Sequence, residues 1–288
     1  MNSQDIQTNR SEYSMTLPIY TVGAGEPLLM IHGIISDGSF FCSVSERLKD
    51  TYRVISYDRY GYGAAALGEY QGAASEEISH GREEADPYSV EEQAEQAAAI
   101  LRAAADQPAW IFGNSAGGLI AIELCLQHPE LVRGMILLEP SFAYDGESAR
   151  ALDAWNGKLN GYLQQKKIKR ALVAFSEIVS SDGAQESAAG SMAEMRQTYA
   201  NLKNFMYGEL NQVQHYRPDL AVLQSIEQPV VVYVTEEGQE RLFGSSSLKG
   251  AEAIGWPVTV IPGNHNAAKS APSSTAEAIC KTIGSLAR

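Results

Sequence analysis

Short apolar segments alternate with a helical pattern near the start of the chain. The runs "PLLMIHG" (27–33) and "YRVISYD" (52–58) each end at Gly or Asp, as buried strands commonly do. Between them, "FFCSVSERLKD" places Phe40, Val44 and Leu48 on one face of a helix. The pattern therefore predicts a strand, a helix and a second strand.

The same alternation continues over residues 89–139. The segment "SVEEQAEQAAAILRAAA" has Ser89 as a helix N-cap, acidic residues in its first turn and a body rich in Ala and Leu. A buried strand "AWIFG", a helix "AGGLIAIELCLQ" and a strand "GMILLE" follow. This alternation predicts an α/β fold with a mostly parallel sheet and helices on both faces.

The strand signal stops over residues 141–226, where helical stretches such as "ALDAWNGKLNGYLQQKK" and "MAEMRQTYANLKNFMYGEL" replace it. Strands resume at "PVVVYVT" (229–235) and "PVTVIPG" (257–263), and "TAEAICKTIGSLA" closes the chain as a helix. We interpret residues 141–226 as an inserted helical cap. The core is then formed by residues 1–140 and 227–288.

Composition and charge limit the classes of function. The 288 residues are 44% hydrophobic, which suits one large core with an insertion. Lys and Arg number 22 against 35 Asp and Glu, a formal net charge of −13 that repels phosphate backbones and anionic lipid. We therefore expect neither nucleic acid nor a membrane as a partner. Residues 67–89, rich in Glu, Gly, Ala and Ser, are predicted to be a long exposed loop.

Export signals and cysteine patterns are missing from the sequence. No apolar run of about 18 residues occurs, and the first twenty residues lack a basic start and an apolar centre. Cys42, Cys125 and Cys280 lie far apart and are odd in number, which predicts neither a disulfide framework nor a CxxC metal site. We expect a cytoplasmic protein without a bound metal.

Ser115 lies in "FGNSAGG", a G-x-S-x-G motif between a predicted strand and a predicted helix. A sharp turn of this kind exposes the serine hydroxyl and tolerates only small residues two positions away, here Gly113 and Gly117. Ser115 is therefore our candidate nucleophile. The alternative is a glycine-rich turn without a chemical role.

Two backbone N–H groups are candidates for an oxyanion hole. The motif places the N–H of Ala116 at a helix N-terminus. The segment "MIHGIIS" puts a His-Gly pair after a strand, a pattern that can supply the second donor, here the N–H of Ile34. His32 would then have a structural role. The alternative is an ordinary turn from strand to loop.

A serine nucleophile needs a base, and the chain has five histidines. His265, in "IPGNHNAA", follows the last predicted strand, so its loop emerges at the same sheet edge as Ser115. We predict His265 as the base, with a structural loop histidine as the alternative. His128 ends the helix after the motif, His80 lies in the acidic loop and His215 lies in the cap.

Four segments together resemble the α/β-hydrolase superfamily: "HGII" after the third strand, "YDRYGYG" after the fourth, "GNSAG" after the fifth and "PGNH" after the eighth. The resemblance covers nearly all of the chain except the cap and the acidic loop, and it implies an eight-stranded sheet. Within the superfamily, "FGNSAGGLIAIELCLQHPELVRGMILLEPS" is similar to a subgroup that includes zearalenone-type lactone hydrolases.

The resemblance also implies which acid orients the base. Many relatives have an aspartate after the strand that matches "VVVYVT", where this chain continues "EEGQERLFG". In the lactonase-like subgroup the acid is a glutamate at the end of the sixth strand, which "GMILLEPS" matches at Glu139. Glu236 and Glu237 are alternative acids, and Glu139 is alternatively a carboxylate of the pocket wall.

These features predict a serine hydrolase that cleaves a carboxylic ester or lactone through an acyl-enzyme. Ser115 would attack, His265 would take its proton and Glu139 would orient the imidazole, without a metal or an organic cofactor. Peptidases, thioesterases and carbon–carbon hydrolases share this triad and stay open as alternatives. A ligand-binding protein that keeps the pocket without catalysis is a further alternative.

Aromatic and apolar residues of the cap favour a small, neutral, hydrophobic substrate. The residues in question are Trp155, Tyr162, Phe175, Tyr199, Phe205, Met206 and Tyr207. Alternatively, most of them form the core of the cap itself. The sequence carries no signal for the oligomeric state or for the size of the acyl chain or ring.

Overall fold

An eight-stranded sheet forms the centre of the protein in the computed structural model. The structure describes residues 2–10, 13–67, 86–140, 142, 146–179 and 191–287. The strands are β1 (Asn2–Arg10), β2 (Tyr13–Val22), β3 (Glu26–Ile31), β4 (Tyr52–Tyr57), β5 (Ala109–Asn114), β6 (Val132–Leu138), β7 (Val230–Thr235) and β8 (Val258–Ile261). Their order in the sheet is β1-β2-β4-β3-β5-β6-β7-β8.

The sheet is mostly parallel. β2 is antiparallel to both β1 and β4, whereas every other pair of neighbouring strands is parallel. The predicted α/β fold with an eight-stranded, mostly parallel sheet is therefore confirmed. Because parallel strands end at the same edge of the sheet, the loops after β3, β5, β6, β7 and β8 meet there.

Helices cover both faces of the sheet. In chain order the helices are α1 (Cys42–Leu48), α2 (Val90–Ala104), α3 (Ala116–Gln127), α4 (Gly146–Gln164), α5 (Ile168–Val179), α6 (Met192–Asn204), α7 (Leu210–His215), α8 (Leu220–Gln224), α9 (Leu242–Ile254), α10 (Ala267–Ser270) and α11 (Pro272–Leu286). α2, α3 and α9 bury residues such as Leu124 and Ile254 on one face. α1, α10 and α11 bury residues such as Leu48 and Ile279 on the other.

Local sequence explains several helix ends. At the start of α2, the hydroxyl of Ser89 accepts a hydrogen bond of 3.1 Å from the N–H of Glu92, as expected for an N-cap. Glu91 and Glu92 also place negative charge near the positive end of the helix dipole. α9 ends at Gly255, whose φ of 90° is left-handed and suits glycine.

The helices between β6 and β7 form a layer over the carboxyl edge of the sheet. We call residues 146–179 and 191–224 the cap segment. Its buried apolar residues form a third cluster that also includes Tyr62 and Phe243 from the sheet region. Asn201 ties the cap segment to the loops below it, because its amide accepts from the N–H of Gly63 and donates to the carbonyl of Ser36.

Most of the predicted acidic loop 67–89 lies outside the described residues, since residues 68–85 are not among them. Within the described part of the chain, none of the helices has the length and apolar character required to cross a membrane.

Candidate active site

Ser115 occupies the sharp turn between β5 and α3. Its φ and ψ of 54° and −123° are strained for a residue with a side chain, and Ser115 is the N-cap of α3. A Cβ at Gly113 would lie 2.6 Å from the carbonyl oxygen of Gly117, and one at Gly117 would lie 2.1 Å from that of Ile31. Only glycine fits at either position, which is the physical reason for the spacing of the motif.

Glu139 follows β6 and is almost completely buried, with 1% of its surface exposed. Its φ of 45° is left-handed, a strained conformation for a glutamate. Its Oε1 accepts hydrogen bonds from the N–H of Thr235 at 2.9 Å and from the Thr235 hydroxyl at 2.6 Å. The end of β7 thus holds the carboxylate in place.

His265 lies in the loop after β8, where it contacts Glu139 and the residue before Ser115. Its Nδ1 lies 2.6 Å from Oε2 of Glu139, and its carbonyl accepts a hydrogen bond of 3.2 Å from the side chain of Asn114, the residue before Ser115. The ring of Phe243 packs against the imidazole at a centroid distance of 4.9 Å. With Nδ1–H donating to the carboxylate, the lone pair of the ring is on Nε2.

The pKa of Glu139 reflects two opposing effects. Burial raises it, but the hydrogen bonds from His265 and Thr235, together with the charge of the imidazolium, outweigh burial and lower the pKa below its ordinary value. Glu139 is therefore a carboxylate at neutral pH. A carboxylate in this position accepts the Nδ1–H hydrogen bond and so fixes the orientation of the imidazole.

The two rival acids lie elsewhere. Glu236 and Glu237 follow β7 and their side chains are exposed. Their backbone N–H groups donate to the carbonyls of Ile261 and Gly263, which continues the strand pairing beyond Thr235. The structure thus brings Glu139, rather than either of these residues, to the imidazole of His265.

The other histidines are separate from this site. His128 caps the C-terminal end of α3, where its ring contacts Glu95. His215 is exposed at the end of α7. His80 lies outside the described residues.

Ile34 and Ala116 line the same cavity as Ser115. Ala116 is the first residue of α3, and the N–H groups of the first helical turn have no partner within the helix. The segment before Ile34 approaches Ser115 closely, since a Cβ on Gly33 would lie 3.1 Å from the Cβ of Ser115. Both candidate donors therefore belong to backbone next to the serine.

His32 is completely buried next to this backbone. Its Nε2 accepts a hydrogen bond of 3.1 Å from the N–H of Arg59, and its Nδ1 lies 2.7 Å from the carbonyl oxygen of Gly33. Burial and the nearby charge of Arg59 lower the pKa of His32 well below its ordinary value. His32 is therefore a neutral ring that holds the loop after β3.

A largely apolar cavity opens above Ser115. Among the predicted aromatic residues, Trp155 and Phe205 line it, together with Leu152, Leu210, Val213 and Phe243. Tyr199 and Tyr207 are instead 45% and 66% exposed, and neither is among the residues that line the cavity. Tyr199 lies in α6, and Tyr207 lies in the π-helical turn that follows it. Three polar residues that the sequence did not indicate also line the cavity: Asn156, Gln214 and Arg217.

Sequence reasoning also missed a buried ion pair near the site. Arg59 and Glu209 form a salt bridge in which both side chains are completely buried. Arg59 lies in the quoted segment "YDRYGYG", and Glu209 lies in the cap segment. The available signal at Arg59 was a charged residue two positions after a buried strand. Nothing local identified its partner.

A family model described as alpha/beta hydrolase fold matches residues 26–257. That range covers most of the chain, so this protein belongs to the α/β-hydrolase family. The expected resemblance to the superfamily is confirmed, while the closer likeness to lactone hydrolases stays a prediction.

Curated relatives match part of the chain. This chain is 32% identical over 118 residues to an uncharacterized hydrolase, YraK, of Bacillus subtilis (strain 168). The aligned segment covers 41% of this chain and 38% of YraK. This chain is also 32% identical over 145 residues to a pimeloyl-[acyl-carrier protein] methyl ester esterase of Aliivibrio fischeri, 50% of this chain and 46% of that protein. The chain thus spans less than half the length of these relatives.

Solved structures match over almost the full chain. An alpha/beta hydrolase from Sphaerobacter thermophilus has a TM-score of 0.69 at 20% identity, covering 97% of this chain and 100% of its own. A thermophilic esterase from Thermogutta terrifontis has a TM-score of 0.69 at 17% identity, covering 99% of both chains. At such identities the likeness shows the fold alone.

Proposed function

We propose that the protein is a serine hydrolase that cleaves carboxylic esters or lactones through an acyl-enzyme. The observation that carries the proposal is the 2.6 Å contact between His265 Nδ1 and Glu139, in a loop tied to the strained turn of Ser115. This combination supplies a nucleophile at a helix N-terminus, a base and an acid that orients the base.

The reaction would proceed in two half-reactions. Ser115 Oγ bonds to the substrate carbonyl carbon while its proton passes to His265 Nε2, and the carbonyl oxygen becomes an oxyanion beside the N–H groups of Ile34 and Ala116. The oxyanion then collapses, and the alkoxide leaves with the proton from His265. Water then attacks the acyl carbon as its proton passes to His265, and His265 gives that proton to Ser115 Oγ as the acid leaves. No step needs a metal or an organic cofactor.

The cavity supports a small hydrophobic substrate. Apolar and aromatic side chains form most of its lining, and Trp155 and Phe205 are the largest of them. The matched relative from Aliivibrio fischeri is a methyl ester esterase, which supports an ester as the bond cleaved. A lactone is a cyclic ester and reacts by the same steps, so both belong to the proposed substrate class.

Two measurements test the proposal together. A fluorophosphonate should label Ser115 in the wild-type protein but not in Ser115→Ala. A panel of esters, lactones, thioesters and peptides should show turnover of esters or lactones, which Ser115→Ala should lower about 10⁴- to 10⁶-fold.

The remaining outcomes contradict the proposal in different ways. Ser115-dependent cleavage confined to thioesters or peptides would replace the substrate class but keep the mechanism. A folded protein that binds members of the panel, resists labelling and turns none over would instead be a ligand-binding member of the family.

A further inference from the structure

We propose that the buried ion pair of Arg59 and Glu209 holds the Gly33–Ile34 peptide in the orientation that the oxyanion hole requires. Both residues would be positioning residues for hydrolysis, and Glu209 would connect the cap segment to this task. The inference rests on the function proposed above.

The ion pair is enclosed by hydrogen-bond partners. Arg59 lies two residues beyond β4, and Glu209 ends a π-helical turn, Phe205–Glu209, that joins α6 to α7. Nη1 of Arg59 donates to Glu209 and to the side-chain oxygen of Gln93, and Nη2 lies 3.3 Å from the second carboxylate oxygen of Glu209. The hydroxyl of Tyr62 also donates to Glu209. Contacts at both terminal nitrogens hold the guanidinium in one orientation.

The guanidinium also contacts the backbone beside the nucleophile. Nη2 of Arg59 donates to the carbonyl oxygen of Gly33 at 2.9 Å, and Nδ1 of His32 lies 2.7 Å from the same oxygen. That carbonyl and the N–H of Ile34 belong to one planar trans peptide unit, so they point in opposite directions. Two donors on the oxygen therefore fix the direction of the Ile34 N–H. The positive charge also polarises the peptide and strengthens that N–H as a donor.

The same ion pair reaches the substrate cavity through the cap segment. Phe205 begins the π-helical turn and Leu210 follows it, and both line the cavity above Ser115. Glu209 lies between them on this turn. π-Helical turns inside α-helices recur at functional sites. A shift of this cavity wall would be transmitted through Arg59 to the Gly33 carbonyl.

A gain in folding stability does not by itself explain why the protein has a buried ion pair at this place. Removing two charges from water is costly, and replacement of a buried ion pair by apolar side chains of similar volume is often neutral or stabilising. Removal of one partner is strongly destabilising, because the other charge is left buried and unpaired. A double replacement therefore separates the effect on catalysis from the effect on folding.

The test is the double variant Arg59→Met with Glu209→Met. We expect it to fold with a Tm close to that of the wild type, while kcat for an ester falls about 10²- to 10³-fold, as after loss of one oxyanion donor, and KM changes little. The rate at which a fluorophosphonate labels Ser115 should fall in parallel, because the phosphoryl oxygen of the probe occupies the same hole. Arg59→Lys keeps a buried positive charge beside Glu209 but lacks the fork that also reaches the Gly33 carbonyl, so it should lower kcat in the same direction. It carries the test should the double variant fail to fold.

The matched control removes a different ion pair between the cap segment and the core. Lys249 of α9 and Glu147 of α4 form a solvent-exposed pair at 2.8 Å. The double variant Lys249→Met with Glu147→Gln should keep the wild-type kcat and labelling rate, because exposed pairs contribute little.

Three results are decisive. A folded Arg59 and Glu209 double variant with wild-type kcat and labelling rate would overturn the inference. The inference would also be overturned if these variants lowered only the fraction of folded protein and left kcat per labelled Ser115 unchanged. A wild-type protein without Ser115-dependent turnover would overturn the proposed function itself, and this inference with it.

Discussion

The imidazole of His265 and the carboxylate of Glu139 lie 2.6 Å apart, although 126 residues separate them in the chain. The strands explain how this happens. β6 ends next to β7, β7 ends next to β8, and all three are parallel, so the residues that follow them share one edge of the sheet. This edge brings Glu139 and His265 into hydrogen-bond contact.

Glu139→Gln should lower kcat by up to about 10⁴-fold, because the amide cannot stabilise the imidazolium and favours the wrong tautomer of His265. Glu236→Gln and Glu237→Gln are the matched controls, since both side chains are exposed beyond β7. Steady-state kinetics of the three variants is the measurement. A silent Glu139→Gln together with a crippled Glu236→Gln or Glu237→Gln would reverse the assignment of the acid.

Gly238→Ala should lower kcat although it replaces neither Glu139 nor His265. A Cβ at Gly238 would lie 2.0 Å from Oε1 of Glu139 and 2.5 Å from the hydroxyl of Thr235, so it would push the carboxylate away from its place. A misplacement of about 1 Å can cost on the order of 10²-fold in rate.

Gly157→Ala is the control for that substitution, because a Cβ there would meet nothing within 4 Å. Gly157 lies within α4, where alanine is the better helix former by about 1 kcal/mol. We expect unchanged kcat and a slightly higher Tm. Equal kcat for the two alanine variants would show that the space at Gly238 is not needed to place Glu139.

Trp155→Ala should change substrate preference. Trp155 lines the cavity and packs against Phe243 at a centroid distance of 5.4 Å, so its loss would enlarge the space above Ser115. We expect KM to rise for short acyl chains and to fall for long ones, with a loss of stability of about 3 to 5 kcal/mol. Tyr207→Ala, on an exposed side chain, is the control. An unchanged chain-length profile in Trp155→Ala would contradict this placement of the substrate.

Asp58 should make stability depend on pH. Burial, followed by smaller effects that include the charge of Asp37, raises the pKa of the Asp58 carboxyl to about 6, against an ordinary value of 3.8. Between these values the folded protein holds a proton that the unfolded chain releases. The associated stabilisation is complete below about pH 4 and is lost as the pH rises through about 6, a change of about 3 kcal/mol.

Asp58→Asn removes this ionisation and is the direct test. Relative to the wild type, the free energy of unfolding of this variant should increase by about 3 kcal/mol between roughly pH 4 and pH 7, because only the wild type loses stability over this range. Urea denaturation at the two pH values measures it. A difference for Asp58→Asn that does not vary with pH would show that Asp58 has the same pKa in both states.

Local sequence was sufficient for the order of strands and helices and for the turn at Ser115. Apolar spacing reports which face of an element is buried, and that information lies within a dozen neighbouring residues. The turn needs small residues at two positions because the backbone of Gly113 and Gly117 touches neighbouring backbone. Such requirements are local, so they appear directly as a motif.

Contacts between segments that are distant in the chain left no local motif in the sequence. Glu139, Glu236 and Glu237 all follow parallel strands, and the sequence pattern alone left all three as possible acids. In the structure Glu139 adopts a left-handed conformation and is held by Thr235, whereas Glu236 and Glu237 begin a turn after β7 and their side chains are exposed. Arg59 and Glu209 meet across 150 residues through the packing of the cap segment. Only the tertiary structure determines that these two residues pair, because neither residue constrains the sequence around the other.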